Sequence, residues 1–207
     1  MKGLLLKDWY AVRHYYKWMM VMLVGFGIYA GVNMKGDSFW MAYMMLVTAL
    51  IPVNLLGLDE KSGWSDYSMT FPLSAGQVVG SKYLLGILFL MGEMVLCFGA
   101  GNIYAMTHGI TISAGSMETL FEAMILVGIC PMAINFPVSY KFGVDKGRMV
   151  VFASIVLLFA VVSIINEKIP INIHRNIQNI ERILTIVAIA SFVISYKISV
   201  QICRRKN

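Results

Sequence analysis

The sequence contains few charged residues. Only 14% of its 207 residues are Asp, Glu, Lys or Arg, whereas 58% are hydrophobic, and the mean hydropathy is +0.73. A soluble domain carries about 25% charged residues, because a polar surface has to cover its core. The composition therefore excludes an ordinary soluble domain and predicts a membrane protein.

Catalytic signatures are missing as well. No glycine is followed by lysine, so the chain has no phosphate-binding loop of the GxxxxGK[ST] type. The histidines show no HExxH spacing, and no GxSxG nucleophile motif occurs. Three scattered cysteines form neither a disulfide framework nor a metal site. We therefore expect no catalytic residue, metal or cofactor in this chain. Energy for any pumping would come from a gradient or from another subunit.

Apolar runs dominate what is present. A helix needs about 20 mostly apolar residues to cross a bilayer, and six runs are close to this length. The fourth contains Pro131 and Pro137, which membrane helices tolerate when neighbouring helices satisfy the freed backbone groups. We predict an all-α membrane protein, a single domain over residues 1–207, with spans at 18–34, 39–58, 83–107, 119–140, 149–166 and 183–203.

Basic residues are distributed unequally between the predicted connections. Thirteen Lys and Arg fall on the side that holds both termini, and four fall on the opposite side. Because cytoplasmic connections are enriched in Lys and Arg, both termini are expected in the cytoplasm. This placement also accounts for the net charge of +6 without a nucleic-acid partner.

Residues 1–17 have the pattern of an amphipathic helix. The larger apolar side chains recur at helical spacing at Leu5, Trp9, Val12 and Tyr16. The charged residues take other positions: Lys2, Lys7, Asp8, Arg13 and Lys17. The segment is expected to lie in the cytoplasmic membrane interface. A plain basic topogenic segment is the alternative.

The 59–82 loop, DEKSGWSDYSMTFPLSAGQVVGSK, is the longest predicted cytoplasmic connection. Ser62 is a candidate N-cap for a short helix that contains Trp64 and Tyr67, and Pro72 would end that helix. Further on, SAGQ at residues 74–77 fits a capping box that opens the helix leading into the third span. The aromatic residues either dock on a partner or lie in the membrane interface, and spacing alone leaves both open.

Polar residues inside the predicted spans are candidates for a translocation path. Glu93 lies near the middle of the third span, where a carboxylate costs about 2.5–3.5 kcal/mol on insertion scales. It is therefore expected to face the bundle interior or a water-filled path. Asn102 and Asn135 are milder cases. The alternative is structural, because such side chains also bridge helices.

Small residues recur at a spacing of four in two predicted spans. Gly27 and Gly31 form a GxxxG pattern in the first span. The sixth span has serines at 191, 195 and 199. Such faces allow helices to approach closely, within one chain or between two.

Two segments carry a resemblance to a known family. The opening MKGLLLKDWYAVRHYYK, followed at once by a span, resembles the start of ABC-2 type transporter permeases. The segment LGLDEKSGWSDYSMTFPLSAGQVVGSKYLLG, residues 56–86, looks like the region after the second span in the small six-span branch of that group. That branch includes the membrane subunits of bacterial exporters of phenol-soluble modulins, which are amphipathic cytolytic peptides.

The resemblance implies a partner and a docking element. In such families two permease chains pair, and each lies over a separate ATP-binding subunit that holds ATP and Mg. The short helix between spans two and three would be a cytoplasmic coupling helix that docks in a groove of that subunit, with Trp64 and Tyr67 as anchors. The docking residues carried over are Asp59, Glu60, Ser62, Gly63, Trp64, Asp66, Tyr67 and Met69.

The function implied is that of the permease subunit of an ATP-driven exporter in a bacterial cytoplasmic membrane. Its cargo would be amphipathic peptides or other hydrophobic compounds. Two other functions stay open. A gradient-driven carrier or channel would use Glu93 as an ion site, and an internal inverted repeat would favour it, but the two halves show no convincing similarity. A peptide-binding immunity or sensor protein would use the same fold without transport.

Overall fold

The computed structural model describes residues 2–32, 38–68, 70–71, 73–109, 114–150, 152–153 and 174–206, and every regular element within these ranges is helical. The all-α prediction is therefore confirmed for the described part of the chain. Residues 144–150 and 152–153 are helical. The main helices are α1 (Lys2–Tyr15), α2 (Lys17–Val32), α3 (Ser38–Lys61), α4 (Trp64–Ser68), α5 (Ala75–Thr107), α6 (Ala114–Phe142) and α7 (His174–Lys206).

Among the described residues, four helical segments are long and apolar enough to cross a membrane: Tyr43–Lys61, Ala75–Thr107, Ile125–Phe142 and Thr185–Arg205. They correspond to the second, third, fourth and sixth predicted spans. The first predicted span is the shorter apolar helix α2, with 16 residues. The fifth, 149–166, falls outside the described residues except at its start. The count of six spans therefore stays a prediction, whereas four of its members are confirmed as candidate membrane helices.

Helices α5 and α7 extend past the apolar runs that predicted them, and α7 begins at His174 where the run begins at residue 183. The third span was expected to begin at residue 83, but α5 begins at Ala75 and has 33 residues. A helix of that length measures about 50 Å, against about 30 Å for the hydrocarbon core of a bilayer. The first turns of α5 therefore project beyond the membrane. Hydrophobicity marks the part of a helix inside the bilayer, and caps mark where the helix ends.

The cap of α5 follows the predicted pattern. Ser74 Oγ accepts a hydrogen bond from the Gln77 amide at 3.3 Å. Gln77 Oε1 accepts one from the Ser74 amide at 3.2 Å. These reciprocal bonds form the capping box and satisfy amides that have no partner inside the helix.

The glycine pattern of α2 packs against α5. A Cβ on Gly27 would lie 2.6 Å from Glu93 Oε1, and one on Gly31 would lie 2.5 Å from the Cys97 carbonyl oxygen. Only residues without a side chain fit at such distances. The predicted close approach is therefore confirmed, and it occurs within one chain.

The serine pattern of α7 faces α5 and α6. The hydroxyl of Tyr83 lies 2.7 Å from Ser195 Oγ and 2.9 Å from Ser199 Oγ. Ser195 Oγ also donates to the Ala133 carbonyl at 2.6 Å. The Tyr83 ring stacks on Phe136 with centroids 4.2 Å apart. This buried contact joins three helices, and polar groups inside it find partners as burial requires.

Helix α1 packs on the bundle with one side, and Val12 is the residue of the predicted apolar face that is buried there. Leu4, Asp8 and Val12 are its buried residues, whereas Trp9 is exposed. Asp8 was expected on the polar face, and that expectation is wrong. A carboxylate can be buried where a cation lies opposite, and Lys82 of α5 supplies that cation. The pairing partner is 74 residues away, so helical periodicity could not reveal it.

Candidate functional site

The α4 end of the bundle is the region where α1, the end of α3, α4 and the start of α5 meet. The chain reverses between α3 and α4 at Gly63, which has a φ of 69° and so adopts the left-handed region that favours glycine. The Tyr67 amide donates to the Gly63 carbonyl at 3.1 Å and begins α4. Ser62 instead donates its hydroxyl to the Asp59 carbonyl at 3.2 Å. The short helix is thus present, but the prediction of Ser62 as its N-cap is wrong.

Helix α4 has an inner and an outer face. Trp64 is half-buried and Ser68 is buried, one turn apart on the inner face. Tyr67 is 57% exposed, and Phe71, just beyond the helix, is 42% exposed. The rings of Tyr67 and Phe71 meet edge to face with centroids 5.1 Å apart. The outer face therefore presents a preformed aromatic pair, and large exposed rings of this kind are typical anchors of protein interfaces.

Four charged side chains form a compact group beside α4, called here the charge cluster: Lys7, Asp8, Asp59 and Lys82. Lys82 Nζ lies 2.6 Å from Asp8 Oδ1 and 2.7 Å from Asp59 Oδ2. Lys7 Nζ lies 2.7 Å from Asp59 Oδ1 and 3.2 Å from Asp8 Oδ1. The side chains of Asp8 and Lys82 are 1% and 3% exposed. Two positive and two negative charges therefore balance in a largely buried place and tie α1, α3 and α5 together.

The charge cluster also contacts α4. Lys7 Nζ lies 4.4 Å from the centre of the Trp64 ring, a cation–π geometry. Trp64 therefore anchors α4 within the chain, whereas Tyr67 faces outward. Lys7 therefore contacts α4 and the carboxylates of α1 and α3 at the same time.

A second connection adjoins the end of α3. Glu60 Oε2 accepts a hydrogen bond from the Val144 amide at 3.2 Å. The chain turns there at Gly143, whose φ is 90° and where a Cβ would lie 3.1 Å from Glu60 Oε1. The turn after α6 is therefore fixed beside the start of α4, and both connections lie at the same end of the bundle.

A cavity of about 370 Å³, lined by both apolar and charged residues, opens between these connections. Within it, Arg148 Nη2 donates to Asn54 Oδ1 at 2.7 Å, and the Tyr16 hydroxyl donates to the Asn54 carbonyl at 3.2 Å. Burial raises the pKa of the Tyr16 phenol, while the positive charge of Arg148 acts in the opposite direction. The phenol therefore keeps its proton at neutral pH. Further lining residues are Gly57, Leu58, Glu60, Lys61, Phe142 and Lys146.

The residues predicted for docking divide into separate groups. Asp59 is buried in the charge cluster, and Glu60 is exposed but bonds within the chain. Ser62 and Gly63 form the turn, while Trp64 faces inward and Tyr67 outward. The side chains of Asp66 and Met69 lie outside the described residues.

The three predicted path residues do not meet in one place. Glu93 is buried against α2, next to Gly27. Asn102 is nine residues further along α5, which places it on the opposite side of that helix, where its amide donates to the Phe98 carbonyl at 2.8 Å. Asn135 is buried in α6 and accepts from Ser139 Oγ at 2.9 Å. Glu93 does face the bundle interior as expected, but a shared path stays a prediction.

Some residues of this region were missed by sequence reasoning. Phe71 was not predicted as an anchor, although its spacing of four from Tyr67 could have indicated a shared face. Local sequence patterns do not show two of the contacts, because each joins distant parts of the sequence: Asp8 with Lys82, and Arg148 with Asn54.

Together these features define an all-helical membrane protein that carries, at one end, a short helix displaying exposed aromatic side chains. The sequence matches the family model described as ABC-2 family transporter protein over residues 3–204. The chain therefore belongs to the ABC-2 transporter family, as the resemblance indicated. Such a protein is the membrane component of an ABC transporter, and the ATPase is a separate subunit. No curated protein matches the sequence significantly.

Proposed function

We propose that this chain is the permease subunit of an ATP-driven exporter and that α4 is the coupling helix through which a separate ATP-binding subunit acts on it. The observation that carries this proposal is the exposed pair Tyr67 and Phe71 on a short helix held at one end of the bundle. Both rings also contact the ring of Trp64 within this chain, with centroids 5.7 and 6.3 Å apart, yet both remain exposed. They fit the groove of a partner.

The anchors proposed here differ from those implied by the resemblance. Tyr67 stays an anchor, and Phe71 joins it. Trp64 instead becomes a positioning residue, because its ring packs on Lys7 within the chain. Asp59 is likewise a positioning residue, since both of its oxygens bind lysines.

The charge cluster gives the docked helix a route to the spans. ATP binding on the partner would move α4, and Lys7 would pass the movement to Asp8 of α1 and Asp59 of α3. Lys82, in the first turns of α5, binds the same two carboxylates. A displacement of α4 by a few ångströms therefore reaches three helices at once.

Cargo, direction and assembly belong to the proposal as well. We infer that the permease works as a pair of such chains in a bacterial cytoplasmic membrane, with both termini inside. It exports amphipathic peptides or other hydrophobic compounds. The 16 methionines support this cargo class, because Met side chains adapt to varied apolar ligands. ATP-dependent peptide uptake into inverted proteoliposomes that hold both subunits measures it directly.

The docking claim is tested by binding. In a purified permease, Tyr67→Ala with Phe71→Ala is expected to weaken binding of the ATP-binding subunit about 700-fold, since interface hot spots contribute about 2 kcal/mol or more each and about 1.4 kcal/mol corresponds to about tenfold. Trp64→Ala is expected to leave part of the affinity but to lower the stimulation of ATPase activity by the permease. The matched control is Tyr10→Ala with Tyr15→Ala, two exposed rings on α1. Equal affinity in the Tyr67 and control variants would refute the proposal.

A further inference from the structure

The cavity between the two connections has properties that the docking of α4 does not explain. Its volume of about 370 Å³ is too small for a helix, yet it lies at the lower end of the range of about 300–1,000 Å³ found for ligand sites. Several side chains of a partner would fill it. Lys61 lines it and ends α3, and the turn at residues 62–63 leads directly into α4. The cavity therefore continues the proposed docking surface.

Cationic side chains outnumber acidic ones in the lining of the cavity. Three cations, Lys61, Lys146 and Arg148, face two acids, Glu60 and Asp145. Glu60 is engaged by the Val144 amide. The side chain of Asp145 is 85% exposed and only approaches Arg148 Nη1, at 3.7 Å. The amide hydrogen bond does not remove the charge of Glu60, so the lining carries three positive and two negative formal charges, an excess of one positive charge.

Arg148 is held in place and is paired only loosely, with the exposed carboxylate of Asp145 at 3.7 Å. Its Nη2 donates to Asn54 Oδ1, and Asn54 is a neutral amide. The side chain is nevertheless 41% exposed. A guanidinium that is fixed on one side and open on the other is preorganised to bind a carboxylate, because its side chain loses little further conformational entropy on binding.

We propose that the cavity is a second docking point for the ATP-binding subunit, into which that subunit inserts a segment carrying an Asp or Glu side chain that pairs with Arg148. This inference rests on the proposed function and adds to it the type of residue, an acidic one, that the ATP-binding subunit contributes. Lys61 and Lys146 attract the segment, and Arg148 fixes its carboxylate. Glu60 holds the rim of the cavity to the α4 turn, so the two docking points move together.

The first test measures affinity in nanodiscs that hold the permease, with the purified ATP-binding subunit as titrant. Arg148→Gln is expected to raise the dissociation constant about tenfold, the usual effect of losing one charged hydrogen bond. Lys61→Gln with Lys146→Gln, two exposed positions, is expected to slow association and to reduce its salt dependence. The matched control is Arg205→Gln, an exposed arginine in α7, which is expected to bind like the unaltered chain.

A second test identifies the partner group. A carbodiimide joins a lysine amine and a carboxylate in contact as an amide, with loss of water to the reagent. We expect a crosslink between Lys61 or Lys146 and an Asp or Glu of the ATP-binding subunit, lost in the lysine double variant. Arg148→Lys, which keeps the charge, is expected to recover part of the affinity, and this separates a charge effect from misfolding.

The outcomes separate this inference from the function on which it rests. If Arg148→Gln binds like Arg205→Gln while Tyr67→Ala with Phe71→Ala loses binding, the cavity inference is overturned and α4 docking stands. If the cavity variants instead lose bound phosphatidylglycerol in native mass spectra at unchanged affinity for the subunit, a lipid headgroup occupies the cavity and the inference is wrong. If the unaltered chain binds no ATP-binding subunit, both proposals fall.

Discussion

The charge cluster makes a quantitative prediction about stability. Lys82→Met would leave Lys7 as the one cation in the cluster beside Asp8 and Asp59. The remaining cluster would then carry one excess negative charge. Asp8→Leu would leave one excess positive charge. Removing one partner of a buried ion pair costs about 3–5 kcal/mol. Because Lys7 is 28% exposed and water can partly screen the remainder, we expect about 3 kcal/mol for each single variant.

The double variant Asp8→Leu with Lys82→Met is expected to be more stable than either single variant. It removes one charge of each sign and leaves the pair of Lys7 and Asp59, which lie 2.7 Å apart. Additive effects would give about 6 kcal/mol, whereas a neutral cluster predicts a loss of about 1 kcal/mol, because replacing a whole buried pair by apolar groups is often nearly neutral.

The assay is reversible unfolding of the purified chain in mixed micelles of mild detergent and dodecyl sulfate, followed by tryptophan fluorescence. Lys2→Met, at an exposed lysine of α1 outside the charge cluster, serves as the comparison and is expected to change the stability by less than about 0.5 kcal/mol. Additive losses in the double variant would show that Asp8 and Lys82 do not interact, and the account of the cluster would then be refuted.

Two further predictions concern the seam between α2 and α5. Gly31→Ala is expected to destabilise the chain by about 1–3 kcal/mol, because its Cβ would meet the Cys97 carbonyl at 2.5 Å. Gly25→Ala, which has open space around it, is the control in the same unfolding assay. Equal effects of the two substitutions would contradict the packing argument. Glu93→Gln keeps the shape of the side chain, so we expect unchanged binding of the ATP-binding subunit and altered peptide transport in proteoliposomes. Unaltered transport with lowered stability would instead assign Glu93 to packing.

Much of the fold could be predicted from local patterns. The apolar runs located α3, α5, α6 and α7, and the capping box at residues 74–77 marked the start of α5. The small residues of α2 marked a packing face. These features are local because membrane insertion and capping depend on residues that are near one another in sequence.

The candidate site could be predicted only in part. The short helix in the 59–82 loop was expected, but which of its rings faces outward depends on contacts with α1 that spacing does not fix. Asp8 and Lys82 are separated by 74 residues and meet only after α1 has packed on α5. Asn54 and Arg148 are separated by 94. Such pairs depend on tertiary structure, which the sequence pattern of one chain does not encode locally.

The arrangement at the α4 end also explains why costly buried charges would be kept there. An apolar contact of the same size would hold α1, α3 and α5 together as well, but the hydrophobic effect is non-directional. Charged groups at 2.6–2.7 Å have a narrow range of favourable geometry, so a displacement of one helix is resisted by the others. Lys7, which binds two carboxylates and the Trp64 ring, is the residue through which such a movement of α4 would pass. We infer that the charge cluster serves transmission more than stability, which is why its double variant should unfold almost normally and yet lose ATPase coupling.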